Sequence, residues 1–81
     1  MAKKVTLYGH DGCSFCVKAK AWLEAKNVDY TMKDTTDEAN HAEFRQYNSP
    51  GVPLIIIQDS AEQTEKKIIG FTEERYTNAL L

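Results

Sequence analysis

At 81 residues the chain has about half the usual length of a domain, which leaves room for one compact unit and a small core. A content of 42% hydrophobic and 27% charged residues argues against a disordered tail, a collagen-like fibre and a bare coiled coil. Ten Lys plus Arg against twelve Asp plus Glu give a formal charge of −2, with the signs interspersed, and this disfavours a dedicated nucleic-acid binder.

The first element is Lys4-Val5-Thr6-Leu7-Tyr8, alternating and rich in β-branched or aromatic residues, and Gly9 breaks it; it reads as a strand. Met1-Ala2-Lys3-Lys4 leads into it without a signal-type apolar stretch, and no apolar run approaches the roughly 18 residues of a bilayer span. A soluble, cytoplasmic protein with no membrane or nucleic-acid partner is the expectation. Residues 14–26 carry Val17, Ala21 and Ala25 at helical spacing, with Cys16, Ala19 and Leu23 on an adjoining stripe. They predict a helix that ends near Asn27, a residue type that tolerates the left-handed conformation. Val28-Asp29-Tyr30-Thr31-Met32 alternates again and predicts a second strand, parallel to the first across the helix.

Thr35 and Glu38 offer a capping box ahead of a weakly amphipathic second helix bearing Ala39, Ala42, Phe44 and Tyr47. After the break at Asn48-Ser49-Pro50-Gly51, the continuous apolar run Leu54-Ile55-Ile56-Ile57 suits a central strand covered on both faces. Residues 58–65 are polar and read as a long loop, and Lys66-Lys67-Ile68-Ile69 as a short antiparallel strand ended by Gly70. Thr72 is the expected cap of a last helix with Glu73 and Glu74 in its first turn and Tyr76, Ala79 and Leu80 on its apolar side. The order βαβ-α-ββα is that of an α/β protein. No internal repeat or linker interrupts the chain.

Only two cysteines occur, three apart, in Gly12-Cys13-Ser14-Phe15-Cys16. A loop this small cannot staple a fold, so the pair points to chemistry. Cys13 falls where the helix begins. Amides at that end favour a thiolate, and Lys18 and Lys20 are expected to add positive potential, whereas Cys16, one turn in, should be buried and less ionised. A low pKa also makes Cys13 a good leaving group in thiol-disulfide exchange. Metal binding competes with this reading, because His10 precedes the pair in a His-X-X-Cys-X-X-Cys spacing. A closed zinc site would need a fourth ligand, for which only His41 remains among soft candidates. Otherwise His10 is a loop residue beside the redox site and His41 a solvent-facing helix residue.

The segment from Tyr8 to Lys20, with Cys13-Ser14-Phe15-Cys16 at its centre, resembles the opening of the glutaredoxins and the related NrdH redoxins, and Gly51-Val52-Pro53 resembles their Thr-Val-Pro segment. The resemblance covers essentially the whole chain. It implies a single domain over residues 1–81 with the thioredoxin-like, three-layer α/β/α fold on a four-stranded mixed sheet. It also implies a cis Val52–Pro53 bond facing the cysteines, with the Val52 backbone offered to substrate as a short β-edge. Gly70-Phe71-Thr72 resembles the family's glycine segment before its last helix, where amides could receive a glutathione carboxylate. On this basis Cys13 and Cys16 are the expected catalytic pair, and His10, Phe15, Val52, Pro53, Gly70, Phe71 and Thr72 the expected substrate or glutathione groove.

The implied activity is dithiol reduction of protein or glutathione mixed disulfides by a monomer. No bound cofactor or metal is expected, and glutathione or thioredoxin reductase is the expected electron source. Ribonucleotide reductase is an implied client. Ser14-Phe15 stands where the family has Pro-Tyr, and His10 where many members have Lys. Gly70 is single where many glutaredoxins have two glycines, and Gly70-Phe71 is closer to the NrdH redoxins. Two other classes stay open at this point: a metal or iron-sulfur carrier using the cysteines, and an interaction module in which they are incidental.

Overall fold

The computed structural model describes residues 3–81; Met1 and Ala2, at the head of the segment read as lacking a signal, lie outside the described residues. The elements are β1 (Lys3–Gly9), α1 (Ser14–Ala25), β2 (Thr31–Asp34), α2 (Glu38–Arg45), β3 (Leu54–Asp59), β4 (Thr64–Ile69) and α3 (Glu73–Leu80). They form a four-stranded sheet in the order β2-β1-β3-β4. β1 runs parallel to β2, and β3 is antiparallel to both β1 and β4. This is the expected mixed sheet of a thioredoxin-like fold, with the apolar run Leu54–Ile57 in one of the two interior strands.

Strand alternation sorts the core into two faces. Val5, Leu7, Ile55 and Ile57 point to one side and are buried with Ala19, Trp22 and Leu23 of α1 and Tyr76 of α3. Tyr8, Leu54 and Ile56 point to the other and are covered by Phe44 and Tyr47 at α2. The result is the three-layer α/β/α arrangement. Each fully buried Leu or Ile contributes about 1.5–3 kcal/mol, and β3 supplies four consecutive buried residues. β1, with five consecutive buried residues, and β3 therefore both serve the two faces of the core.

Four local expectations are corrected. β2 begins at Thr31 rather than Val28. Asn27 takes the left-handed conformation (φ 58°) as foreseen, but the Val28 amide then donates back to the Leu23 carbonyl at 2.9 Å and that of Asn27 to Glu24 at 3.2 Å. This double closure of the helix end is a Schellman motif. It consumes the residues that alternation assigned to the strand. Thr35 does not cap α2. Its amide continues the ladder to the Gly9 carbonyl at 2.9 Å and its hydroxyl donates to the same oxygen at 3.4 Å. Asp37 caps instead, accepting from the Asn40 amide at 3.1 Å.

On α2 itself, Ala39 and Ala42 are exposed, so Phe44 and the following Tyr47 make the contact with the sheet. The polar loop shrinks to residues 60–63, because β3 continues to Asp59 and β4 starts at Thr64. Asp59 holds that turn by accepting from the Ala61 and Glu62 amides at 3.0 and 3.3 Å, an Asx-type closure. The rest of the expected long loop is strand.

Candidate functional site

The two cysteines sit where β1 hands over to α1. Cys13 is the N-cap of α1 with extended backbone angles, and its Sγ accepts from the Cys16 amide at 3.3 Å. It is half-buried, whereas Cys16 is 1% exposed. Both are free thiols. This burial difference splits their acidities. Partial burial alone would raise the Cys13 pKa, but hydrogen bonds from the Cys16 thiol and from the Cys16 and Phe15 backbone outweigh it and lower the pKa below the ordinary thiol value. Cys16 is pushed up to about 12, first by burial and then by its hydrogen bond to Cys13; a hydrogen bond from the His10 backbone opposes this.

The lysines do not carry the effect that the sequence suggested. Lys18 Nζ lies over the Phe15 ring, 5.2 Å from its centroid, and the groups that lower the Cys13 pKa are Cys16 and Phe15.

The Val52–Pro53 bond is cis, as the resemblance implied, and the Val52 carbonyl faces Cys13 Sγ at 3.9 Å. Pro53 is buried, and its carbonyl accepts from the Gly70 amide at 2.8 Å. Gly70 has φ 84°, a left-handed conformation that favours glycine. A surface groove beside α1 then brings Phe15 together with Phe71 and Thr72, and adds Lys18, Trp22 and Glu73. Phe15 is 52% exposed, an aromatic face left open between the two cysteines. The expected groove residues Phe15, Val52, Pro53, Gly70, Phe71 and Thr72 are thus brought into one connected region. Thr72 occupies the N-cap position of α3, although its side chain makes no capping hydrogen bond.

Of the expected residues, Phe15, Phe71 and Thr72 line this groove, Val52, Pro53 and Gly70 adjoin it through the bonds just described, and His10 lies outside it. Its Nδ1 accepts from the Gly12 amide at 3.1 Å and its carbonyl from the Cys13 amide at 3.2 Å, so it shapes the loop that presents Cys13. His41 is exposed on α2, 6.2 Å from the Phe44 ring. Among the described residues, no group of three or more His, Cys, Asp or Glu side chains is placed to hold a metal ion.

Sequence reasoning missed Gly9, which it used only as a strand break. A Cβ at Gly9 would lie 2.6 Å from Cys16 Sγ, closer than real Cβ atoms come, so the absence of a side chain there lets Cys16 bury against β1. A glycine ending a strand four residues before a Cys-X-X-Cys pair was the available signal.

Comparison with known proteins agrees with this geometry. The glutaredoxin family model matches residues 5–61. No curated protein sequence matches significantly. Among solved structures the chain is similar to glutaredoxin 1 from Francisella tularensis, determined with cacodylate, at 29% identity and TM-score 0.68, covering 98% of this chain and 96% of that one. It is also similar to the thioredoxin-like protein BC3987, at 26% identity and TM-score 0.74, covering 94% and 99%. The glutaredoxin from Archaeoglobus fulgidus, at 21% identity and TM-score 0.74, covers 96% of this chain and 85% of its own, and shares the fold. With the family model spanning more than half its length and a Cys-X-X-Cys pair at the start of the first helix, the chain belongs to the glutaredoxin family of thioredoxin-fold oxidoreductases.

Proposed function

We propose that this protein is a dithiol oxidoreductase that reduces protein or glutathione mixed disulfides, with Cys13 as nucleophile and Cys16 as resolving thiol. The observation that carries the reading is the split between the two sulfurs. Cys13 is accessible at a helix N-cap and has a lowered pKa, while Cys16 is buried with a raised one.

The Cys13 thiolate attacks one sulfur of a substrate disulfide, forms a mixed disulfide and expels the other half as a thiolate, which takes a proton from solvent. Cys16 then attacks Cys13 Sγ, and its proton goes to the departing substrate thiolate. The protein is left with an intramolecular disulfide and the substrate has gained two electrons. The low Cys13 pKa serves the first step by keeping Cys13 a thiolate, and it makes Cys13 a good leaving group when an outside thiol attacks the substrate sulfur of the mixed disulfide. Glutathione or thioredoxin reductase would return the electrons.

Substrate docking is assigned to the Val52 backbone edge and to the groove of Phe15, Phe71 and Thr72, with His10 acting through the loop. Glu73 and Glu74 in the first turn of α3 counter the helix-end field that would attract a glutathione carboxylate. This favours the NrdH-type alternative, in which thioredoxin reductase is the reductant. A cytoplasmic, monomeric reductant that includes ribonucleotide reductase among its clients is the family-based extension of the proposal. The test is NADPH consumption with a disulfide substrate in two arms, one coupled to glutathione and glutathione reductase, the other to thioredoxin reductase. Turnover in either arm that disappears in Cys13→Ser supports the reading, and the arm identifies the reductant. Turnover retained by Cys13→Ser would overturn it.

A further inference from the structure

Tyr76 is fully buried on α3, and it touches each residue of the Gly70-Phe71-Thr72 wall in a different way. Its hydroxyl donates to the Gly70 carbonyl at 2.9 Å. Its ring meets Phe71 edge-on, centroids 5.0 Å apart at 86°. Its amide donates to the Thr72 carbonyl at 3.1 Å. On its other side it packs edge-on against Trp22, at 5.5 Å and 80°, and Trp22 lines the same groove.

The chain of contacts continues to the cysteine. Gly70 accepts from Tyr76 through its carbonyl and donates through its amide to Pro53 at 2.8 Å, and the preceding Val52 carbonyl faces Cys13 Sγ at 3.9 Å. One glycine peptide segment is therefore held from both sides, by a side chain of α3 and by the edge that would receive substrate. Packing alone would be served by Phe at position 76. The hydroxyl is what reaches Gly70, from a fully buried side chain to a half-buried carbonyl, so a Phe in its place loses one partly buried hydrogen bond.

We propose that Tyr76 is a positioning residue for substrate docking, its hydroxyl fixing Gly70 and through it the Pro53 and Val52 backbone opposite Cys13. The proposal rests on the thiol-disulfide reading above. It assigns to α3 the spacing between the two docking walls, while Cys13 and Cys16 keep the chemistry.

The test is a single-turnover reaction of pre-reduced protein with a self-quenched, disulfide-linked peptide dimer, followed by fluorescence over a range of peptide concentrations, so that no external reductant enters. For Tyr76→Phe the expected result is a half-saturating concentration raised about five-fold with a limiting rate within about two-fold of wild type, the size expected for one lost, partly buried hydrogen bond. Tyr30→Phe, which removes a hydroxyl bound to Glu24 at 2.7 Å, neither residue lining the groove, should leave both parameters unchanged. A Tyr76→Phe protein that loses thermal stability but keeps the wild-type half-saturation would overturn the proposal, because the hydroxyl would then be structural only. Should Tyr76→Phe not fold, Gly70→Ala strains the same link from the other end while keeping the carbonyl and amide that make it. An added Cβ there meets nothing within 4 Å but must adopt φ 84°, so a raised half-saturation supports the proposal and an unchanged one overturns it. A wild-type protein that leaves the peptide intact would sink the oxidoreductase reading itself, whereas reaction of both proteins with equal half-saturation sinks only the role of Tyr76.

Discussion

The Cys16 amide donates to Cys13 Sγ at 3.3 Å, so the residue proposed to end the exchange also stabilises the thiolate proposed to begin it. The same helical turn that brings the amide to the surface sulfur carries the Cys16 thiol inward against Gly9. One turn of α1 thereby makes two chemically unlike thiols.

That difference predicts selective alkylation. Iodoacetamide should label Cys13 with a pH midpoint below the ordinary thiol value, while Cys16 stays unlabelled until pH approaches its raised pKa of about 12. Mass spectrometry of peptides from the reduced protein, alkylated across a pH series, reads both. Equal labelling of the two cysteines at neutral pH would contradict the split.

The same shifts give opposite signs in stability. Cys13 has a lowered folded pKa, so its contribution is present above the unfolded thiol pKa and is lost as pH falls through the folded value. Cys16 has a raised one, so its contribution is full below the unfolded pKa of 9.0 and is lost between there and about 12. Urea unfolding of the reduced protein should therefore show stability falling over that alkaline window, with a shallower fall in Cys16→Ala. The buried tyrosines Tyr8 and Tyr76, whose pKa values burial also raises, add to the loss in both proteins. Parallel pH profiles for the two would remove Cys16 as a contributor.

Gly9→Ala places a Cβ 2.6 Å from Cys16 Sγ and must displace the thiol or the strand. The expected cost is about 1–3 kcal/mol, typical of an overpacked core, together with slower resolution of the mixed disulfide. Urea denaturation gives the first, and acid-quenched mass spectrometry of the mixed-disulfide lifetime gives the second.

The two helix caps separate two kinds of N-terminus. Asp37→Ala removes the hydrogen bond to the Asn40 amide and should cost about 1 kcal/mol. Thr72→Ala removes a side chain that makes no such bond and should cost only a few tenths of that, measured by the same urea titration.

Much of this architecture was legible in the sequence, because strand alternation, the apolar run Leu54–Ile57 and the position of Cys13 after a glycine break are local signals. The errors lie where one residue had two uses. Val28 fits a strand by pattern, but its amide closes α1. Thr35 fits a cap by type, but its backbone and hydroxyl are already bound to Gly9. In the site, the cysteine pair was visible from spacing and the cis Val52–Pro53 bond from family resemblance. The roles of Gly9 and Tyr76 were not, since each depends on how a strand-to-helix turn folds back, onto a residue seven positions away for Gly9 and six for Tyr76. Only the folded chain brings Gly9 to Cys16 and Tyr76 to Gly70.

The central claim, that Cys13 attacks and Cys16 resolves, is tested most directly by trapping. Reduced Cys16→Ser protein is mixed with a disulfide-bonded peptide, quenched in acid and weighed intact by mass spectrometry, beside wild type and Cys13→Ser. The account predicts a stable adduct of one peptide on Cys13 in Cys16→Ser, an intramolecular disulfide without adduct in wild type, and no reaction in Cys13→Ser. An adduct on Cys16 in the Cys13→Ser protein, formed as fast as the one on Cys13, would contradict it.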